Sequence, residues 1–211
     1  VSDYMYAVEN RYGGRRGLLE FVKAAHQKGI GVILDVVYNH LDPDRDLDIW
    51  QFDGWSQEDR GGIYFYNDWR AETPWGFTRL DYGRPEVQQY ILDNVRMWLS
   101  DCHIDGLRLD STGFMRTVYG RNNDPSNEIP EAWQLLQQVN KLAKKINPGS
   151  VIIAEDFSGN EWVTKPDGEG GAGFDAQWET NLPFVLRTAL DPVDDANRGL
   201  AGVWEALARC Y

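Results

Sequence analysis

The sequence predicts an α/β fold built on a parallel β-sheet, and three observations carry this prediction. Short apolar segments alternate along the chain with longer segments whose apolar residues recur at helical spacing. The apolar segments have the length and the near-continuous apolar character of strands in a buried parallel sheet. Each of them also ends in polar or acidic residues. Polar groups at the carboxyl ends of parallel strands meet at one edge of the sheet, where active sites form.

Four segments are predicted as strands, and they lie at 32–37, 105–110, 151–156 and, shorter, 174–178. The first reads VILDVV and contains one acid, Asp35, which is costly to bury unless it is paired. The second reads DGLRLD, and its period of two turns Arg108 and Asp110 to the same side of the strand.

Amphipathic helices are predicted between these strands, and they lie at 15–28, from about 85 to the second strand, and at 130–146. Gly29 ends the first helix, Pro85 opens the second, and Asn147-Pro148-Gly149 closes the third. After residue 180 the chain is helical with a weaker signal. Right-handed crossovers between parallel strands then give a (β/α) barrel. An open doubly wound sheet is the rival, but no Gly-x-Gly-x-x-Gly follows any strand.

The amino-acid composition and net charge indicate which kinds of binding partner to expect. The 211 residues are 42% hydrophobic and carry 21 basic and 33 acidic side chains, a net charge of −12. Without a basic run, nucleic acid and anionic membrane surfaces are not expected as partners. No apolar run is long enough to span a membrane and no signal peptide is visible, so a cytoplasmic location is expected. Because the chain begins with Val1, a leader ahead of it stays an alternative. Cys102 and Cys210 are too few for a disulfide framework and are expected to be reduced.

A long aromatic-rich excursion, residues 41–83, follows the first strand. Loops of this length in a compact fold are usually functional or form small subdomains. Flat apolar rings in polar loops suit sugar rings, so the excursion is a candidate surface for sugars. Its aromatic residues include Trp50, Phe52, Trp55, Tyr64, Phe65, Tyr66, Trp69 and Trp75.

Charged and polar side chains lie at the ends of three of the predicted strands. Asp35 lies in the first strand and is followed by Asn39 and His40. Arg108 and Asp110 lie on the second strand, and Glu155 lies at the end of the third. The strands are therefore expected to bring two candidate catalytic carboxylates, Asp110 and Glu155, close together. One carboxylate held ionised beside a cation and one free to take a proton are the minimum for cleaving a glycosidic bond. A structural ion pair at a strand end is the alternative interpretation.

These segments resemble the signature regions of glycoside hydrolase family 13, the α-amylase family. DVVYNH (35–40) is similar to the first region, DGLRLD (105–110) to the second and IIAED (152–156) to the third. The resemblance implies a (β/α)8 TIM barrel, of which this chain holds about strands three to six. The segments YFYNDWRAETPWG, LDYGRPEV and GFDAQW are most similar to the glycogen branching enzymes, with the trehalohydrolase-like branch close behind.

The resemblance also implies a role for three charged residues. Asp110 is the expected nucleophile, which forms a covalent glucosyl-enzyme. Arg108 is expected to keep it anionic and to orient it. Glu155 is expected to protonate the leaving oxygen and then to act as base towards the acceptor, with net retention. The expected substrate is an α-1,4-glucan.

Four further residues take expected roles from the same resemblance. Tyr6 matches a tyrosine that stacks on the sugar being cleaved, and His40 a histidine that hydrogen-bonds that sugar. Asp35 and Asn39 match residues that brace the site. No cofactor is expected; calcium is the one metal that the resemblance allows, because Asn39 lies where some members bind it.

The chain departs from the family pattern in two places. No His is followed by Asp, so the fourth region, which supplies a further aspartate, is absent. A full barrel takes about 250 residues, and we therefore expect residues 1–211 to be an internal fragment of the catalytic domain, partnered by the rest of the barrel and by flanking domains. Gly113 and Phe114 stand where many α-amylases carry Lys-His, which weakens a simple amylase assignment and the calcium prediction.

The predicted function is α-1,4-glucan branching in glycogen metabolism. Hydrolysis by an α-amylase or trehalohydrolase-like enzyme is an alternative, because acceptor choice lies in loop shape and not in the carboxylates. A second alternative, for the isolated fragment, is a non-catalytic glucan-binding module.

Overall fold

The computed structural model describes residues 4–42, 60–121, 124–178, 181–192, 194 and 198–208. The chain divides into two compact units, Val1–Gln177 and Trp178–Tyr211. The candidate site lies in the first unit. In the second, helices α5 and α6 pack against each other, and they span Asn181–Leu190 and Ala201–Ala208. No helix in the described ranges is long and apolar enough to cross a membrane.

A parallel sheet lies at the centre of the first unit. Its strands within the described residues follow the order β1-β2-β3-β4, and they span Ile33–Val36, Gly106–Leu109, Val151–Ala154 and Ala176–Gln177. The register sets Asp35 of β1 opposite Arg108 of β2, and Arg108 opposite Ile153 of β3. The α/β prediction is confirmed, and each strand is shorter than the segment predicted for it.

α-Helices lie in the connections from β1 to β2 and from β2 to β3, as parallel pairing favours. The α-helices of the first unit are α1 to α4, and they span Gly14–Gln27, Pro85–Arg96, Gly113–Arg116 and Pro130–Ile146. One π-helical turn, Met97–Asp101, extends α2. Short 3₁₀ turns lie at Asn10–Tyr12, Trp69–Ala71, Pro125–Asn127, Glu161–Val163 and Asp167–Glu169. The three predicted helices are therefore confirmed.

The core forms between the sheet and the apolar faces of the helices. Leu107 and Leu109 of β2 are fully buried, and burying one such side chain stabilises the fold by about 1.5–3 kcal/mol. A Cβ added to Gly106 would lie 2.2 Å from the carbonyl oxygen of Val151 on β3. Glycine at this position therefore lets β2 and β3 pair closely behind the site.

The first strand, predicted to belong to a buried parallel sheet, is partly exposed in the structure. Ile33 is 48% exposed, and the side chain of Asp35 is 61% exposed. The reason is that β1 is the edge strand of the sheet that the described residues form. Asp35 is therefore paired, as its place in an apolar run requires, but it is not buried.

The described part of the excursion is a packed substructure rather than a loop of open rings. Phe65 and Tyr66 are fully buried, and Phe65 pairs with Leu80 in an antiparallel bridge. Trp69 and Trp75 keep 45% and 37% of their surface exposed. The expectation of flat faces for sugars thus fails for the buried rings and stays a prediction for the two tryptophans. The aromatic residues that lie outside the described residues are Trp50, Phe52 and Trp55.

Candidate active site

Backbone pairing fixes the residues that follow the strands. The amide of Asp110 donates to the carbonyl of Val36 at 2.9 Å, which continues the pairing of β2 with β1. The amide of Glu155 donates to the carbonyl of Leu109 at 3.0 Å, which continues the pairing of β3 with β2. Both carboxylates are thus anchored to the sheet at its carboxyl edge.

Arg108 lies at the centre of the site and contacts three carboxylates. Its Nη1 lies 2.7 and 2.9 Å from the two oxygens of Asp35 and 2.8 Å from Oδ1 of Asp110. Its Nη2 lies 2.6 Å from Oε1 of Glu155. Because the guanidinium is planar and rigid, the contacting oxygens of Asp110 and Glu155 are at most about 8 Å apart. The structure therefore brings together the two carboxylates that the sequence nominates.

The charges around Arg108 do not cancel. Burial opposes the charge of Arg108, but hydrogen bonds to Asp35 and Asp110 and the nearby charge of Glu155 outweigh it and raise the pKa of the guanidinium. One cation thus faces three acidic side chains. A surplus of negative charge at a strand edge suits a reaction whose transition state develops positive charge on a sugar ring.

Asn39 holds the second oxygen of Asp110. Its Nδ2 donates to Oδ2 of Asp110 at 2.9 Å and to the backbone carbonyl of Asp110 at 2.8 Å. Since Oδ1 is bound by Arg108, both carboxylate oxygens of Asp110 have partners. Its carboxylate is therefore fixed in orientation before any substrate binds.

His40 extends this network away from the carboxylates. Its Nδ1 contacts Oδ1 of Asn39, and because that oxygen is an acceptor, the hydrogen lies on Nδ1 and Nε2 is unprotonated. Nε2 is buried and has no hydrogen-bond partner among the described residues. The imidazole stacks on Trp75, with ring centroids 4.3 Å apart. Burial lowers the pKa of His40 to about 4, so the ring is neutral near pH 7.

Ser111 positions Glu155 and was missed by the sequence analysis. Its backbone N–H and its hydroxyl donate to Oε2 of Glu155 at 2.8 and 3.1 Å. Ser111 reaches this position with φ of 42°, in the left-handed region that non-glycine residues seldom adopt. The only sequence signal for it is a hydroxyl residue directly after the predicted nucleophile.

Asp156, the second acid after β3, forms a buried ion pair that the sequence analysis did not predict. Its side chain is fully buried and lies 2.7 Å from Nε and 3.1 Å from Nη2 of Arg116, which is buried as well. Burial alone raises the pKa of Asp156, but the hydrogen bond and charge of Arg116 overcome this and lower it. A buried ion pair therefore stands directly behind Glu155.

Tyr6 is the one predicted site residue that the structure does not bring to this cluster. Its hydroxyl donates to the carbonyl of Tyr90 on α2 at 2.6 Å, and the two rings lie 5.0 Å apart. Burial, followed by the charge of Asp93, raises the pKa of Tyr6 to about 12. Stacking of Tyr6 on a sugar stays a prediction, and its described contacts are structural.

The family model for the α-amylase catalytic domain matches residues 42–186, which is more than half of the chain. The chain belongs to the α-amylase family. The matched range includes the segments 105–110 and 152–156 and begins after the segment 35–40.

Curated relatives agree with the branch that the sequence resembles. The chain is 36% identical over 184 residues to the 1,4-alpha-glucan branching enzyme GlgB of Oceanobacillus iheyensis, covering 82% of this chain and 28% of that enzyme. It is 35% identical over 201 residues to the GlgB of Clostridium perfringens, covering 89% and 29%. The chain thus spans less than a third of the length of these relatives.

Solved structures confirm the fold of this α-amylase-family chain. The α-amylase of Geobacillus thermoleovorans, complexed with acarbose, matches with a TM-score of 0.67 and 22% identity, over 98% of this chain and 42% of that one. The maltogenic α-amylase AmyB of Thermotoga neapolitana matches with a TM-score of 0.64 and 18% identity, over 96% and 40%. The four described strands therefore form part of a barrel of this kind.

Calcium is the one metal that the family resemblance allows, near Asn39. Both polar atoms of the Asn39 side chain are engaged, by Asp110 and by His40. The described ranges contain no group of three or more His, Cys, Asp or Glu residues arranged to hold a metal. Calcium binding stays a prediction, and no step below depends on it.

Proposed function

We propose that this protein is a retaining α-glucan enzyme that cuts an α-1,4 bond and passes the cut chain to a 6-hydroxyl, which is 1,4-α-glucan branching. The observation that carries the proposal is the convergence of Asp110 and Glu155 on the guanidinium of Arg108. The similarity to branching enzymes supports the choice of acceptor. The three residues lie on or directly after neighbouring strands. Because Arg108 is only 8% exposed, this arrangement is not a surface ion pair.

The first chemical step cleaves the glucan. Glu155 donates a proton to the glycosidic oxygen while Asp110 attacks the anomeric carbon. The bond between that carbon and the oxygen breaks, and the reducing-end part of the chain leaves with a free 4-hydroxyl. The remaining chain is held as an ester on Asp110.

The second step transfers that chain. Glu155, now a carboxylate, takes the proton from the acceptor hydroxyl, and the acceptor oxygen displaces Asp110 from the anomeric carbon. Two inversions at one carbon give net retention. A 6-hydroxyl as acceptor makes a branch point, whereas water as acceptor makes a new reducing end.

The positions of the neighbouring groups match these steps. Arg108 and Asn39 each hold one oxygen of Asp110, so the nucleophile needs little reorganisation to attack. Ser111 holds Oε2 of Glu155 through two donors, which steadies the carboxylate that must receive the acceptor proton. Asp35 adds a third acidic group beside Arg108.

We also propose that further strands complete the barrel, in the same gene product or in an associated chain, and supply the remaining aspartate of the family. A (β/α)8 barrel has eight strands, and the described sheet has four. A cytoplasmic location is part of the proposal, supported by Cys102, a free and buried thiol.

An assay of the complete gene product with amylose tests branching against hydrolysis. Iodine colour reports the length of unbranched glucan, and reducing ends report cleavage by water. Branching lowers the colour while reducing ends stay nearly constant, since each cleavage is followed by transfer. A rise in reducing ends in step with the loss of colour would replace branching by hydrolysis, and no change in either would overturn the enzymatic proposal.

A further inference from the structure

A groove lies beside the candidate active site, between the start of α4 and the loop that follows β3. It encloses about 360 Å³, at the small end of the range of about 300–1,000 Å³ that is usual for ligand sites. The side chains that give it chemical character are those of Arg116, Glu128, Trp133, Gln134, Asn160 and Trp162. None of them takes part in the steps proposed above.

Two indole rings form the apolar part of the groove. Trp133 is partly buried, and its Nε1 donates to the carbonyl of Gly170 at 3.1 Å, which fixes the ring. Trp162 is 45% exposed. Its backbone N–H donates to Oδ1 of Asn160 at 3.0 Å, and its carbonyl accepts from Ala172 at 2.9 Å, so the loop that carries it is held in place. The groove is therefore built before a ligand arrives.

The polar part of the groove suits a neutral ligand rich in hydroxyl groups. Gln134 and Asn160 present amide groups, which both donate and accept hydrogen bonds. The positive charge of Arg116 is already compensated by the buried carboxylate of Asp156. Aromatic faces next to amides match the apolar face and the hydroxyl rim of a glucosyl unit.

The groove opens on the side of the sheet that carries the catalytic carboxylates. The start of α4 follows β2, and the loop with Trp162 follows β3, so both lie beyond the carboxyl ends of their strands. Arg116 connects the two places, because it lines the groove and pairs with Asp156, the neighbour of Glu155. A long polymer can therefore occupy the groove while another part of it, or another chain, lies at the carboxylates.

We propose that this groove is a second glucan-binding site, which takes a short segment of an α-1,4-glucan on Trp162 and Trp133 and retains the polymer near the active site. The choice of glucan rests on the proposed function. The net charge of −12 argues against a nucleic acid as the occupant.

The test compares two single variants of the complete gene product, Trp162→Ala and Phe21→Ala. Phe21 is 61% exposed on α1 and lies outside the groove, so its variant controls for the loss of an exposed aromatic ring. Migration through native gels that contain glycogen gives the dissociation constant without any turnover. Trp162→Ala is expected to weaken glycogen binding at least fivefold, Phe21→Ala to leave it unchanged, and Trp162→Tyr to restore most of it.

Turnover of a short and a long substrate separates the groove from the active site. Trp162→Ala is expected to raise KM for amylose severalfold and to leave kcat/KM for a short maltooligosaccharide unchanged, because the short chain cannot span both places. Equal losses on both substrates, or glycogen binding equal to that of the control, would overturn the groove site. If the wild-type protein binds glycogen through Trp162 but turns over neither substrate, the groove site holds and the proposed enzymatic function fails.

Discussion

Asn39 and Asp110 are joined by two hydrogen bonds from one amide group, to the carboxylate oxygen Oδ2 at 2.9 Å and to the backbone carbonyl at 2.8 Å. Asn39 follows β1 and Asp110 follows β2, so a residue after one strand sets the orientation of the expected nucleophile on the next. The oxygen of the same amide group, Oδ1, accepts a hydrogen bond from Nδ1 of His40. Asn39 thus determines both the direction of the carboxylate and the tautomer of the imidazole.

Replacing Asn39 by Ala is expected to lower kcat about 10- to 100-fold, because a hydrogen bond to a charged group contributes about 1.5–3 kcal/mol. The measurement is steady-state turnover of amylose by the complete gene product, with the melting temperature taken in parallel. Asn127→Ala, which removes a hydrogen bond to Asp124 at an exposed turn, is the control. Equal turnover in the Asn39 and Asn127 variants would show that the amide does not orient the nucleophile.

Asp110→Asn is expected to abolish turnover and leave the fold intact. The amide is nearly isosteric but cannot form the glycosyl ester, so kcat is expected to fall on the order of 10⁴-fold or more. Turnover and circular dichroism are measured on the same sample. A variant that loses its fold, with no activity loss separable from it, would support the structural ion-pair interpretation of the site instead.

Removing Asp156 is expected to destabilise the protein strongly. Asp156→Leu leaves the buried guanidinium of Arg116 without its carboxylate, which is expected to cost about 3–5 kcal/mol. The double variant Asp156→Leu, Arg116→Met removes both charges and is expected to recover a large part of that loss. Denaturant unfolding of the single and double variants measures the coupling, and a double variant no more stable than the single one would contradict a compensated pair.

Gly106→Ala is expected to destabilise the sheet by several kcal/mol, because the added Cβ meets the carbonyl oxygen of Val151 at 2.2 Å and the two paired strands must shift to relieve the clash. Gly168→Ala is the matched control, since its added Cβ meets nothing within 4 Å. The free energy of unfolding is measured for both variants. Comparable values for the two would show that β2 and β3 separate easily behind the site.

Local signals explain which parts of this fold the sequence could predict. Helix α4 was predicted with its observed bounds, because Pro130 occupies its first turn and Asn147-Pro148-Gly149 ends it. The place of Arg108 beside Asp110 followed from a period of two, which any strand obeys.

Contacts between distant segments explain what the sequence could not show. The buried pairing of Asp156 could not be predicted, because its partner, Arg116, lies on another element and no spacing rule connects them. Phe65 and Tyr66 lie in a segment with no clear period, so burial could not be separated from exposure. Ser111 acts through a positive φ and a backbone N–H, and neither is encoded in residue type.

The neutral imidazole of His40 makes stability depend on pH in a defined window. Its ordinary pKa is 6.5, and burial lowers the pKa to about 4 in the folded protein. Between these two pH values the unfolded chain binds more protons than the folded protein. The free energy of unfolding therefore falls as the pH is lowered from about 6.5 to about 4. Below about pH 4 the contribution of His40 changes no further. The lowered pKa values of Asp105 and Asp156 act below their ordinary value of 3.8, outside this window.

His40→Gln is therefore expected to remove this component of acid sensitivity. The melting temperature of the wild-type protein is expected to fall more between pH 7 and pH 4.5 than that of the variant, whatever their difference at pH 7. His103→Asn is the control, because His103 is exposed and has φ of 55°, which asparagine tolerates. The contrary outcome is an equal fall in melting temperature for the wild-type protein and the His40 variant, with the control behaving like the wild type. His40 would then take up its proton as readily in the folded protein as in the unfolded chain, and its burial in a neutral form would be refuted.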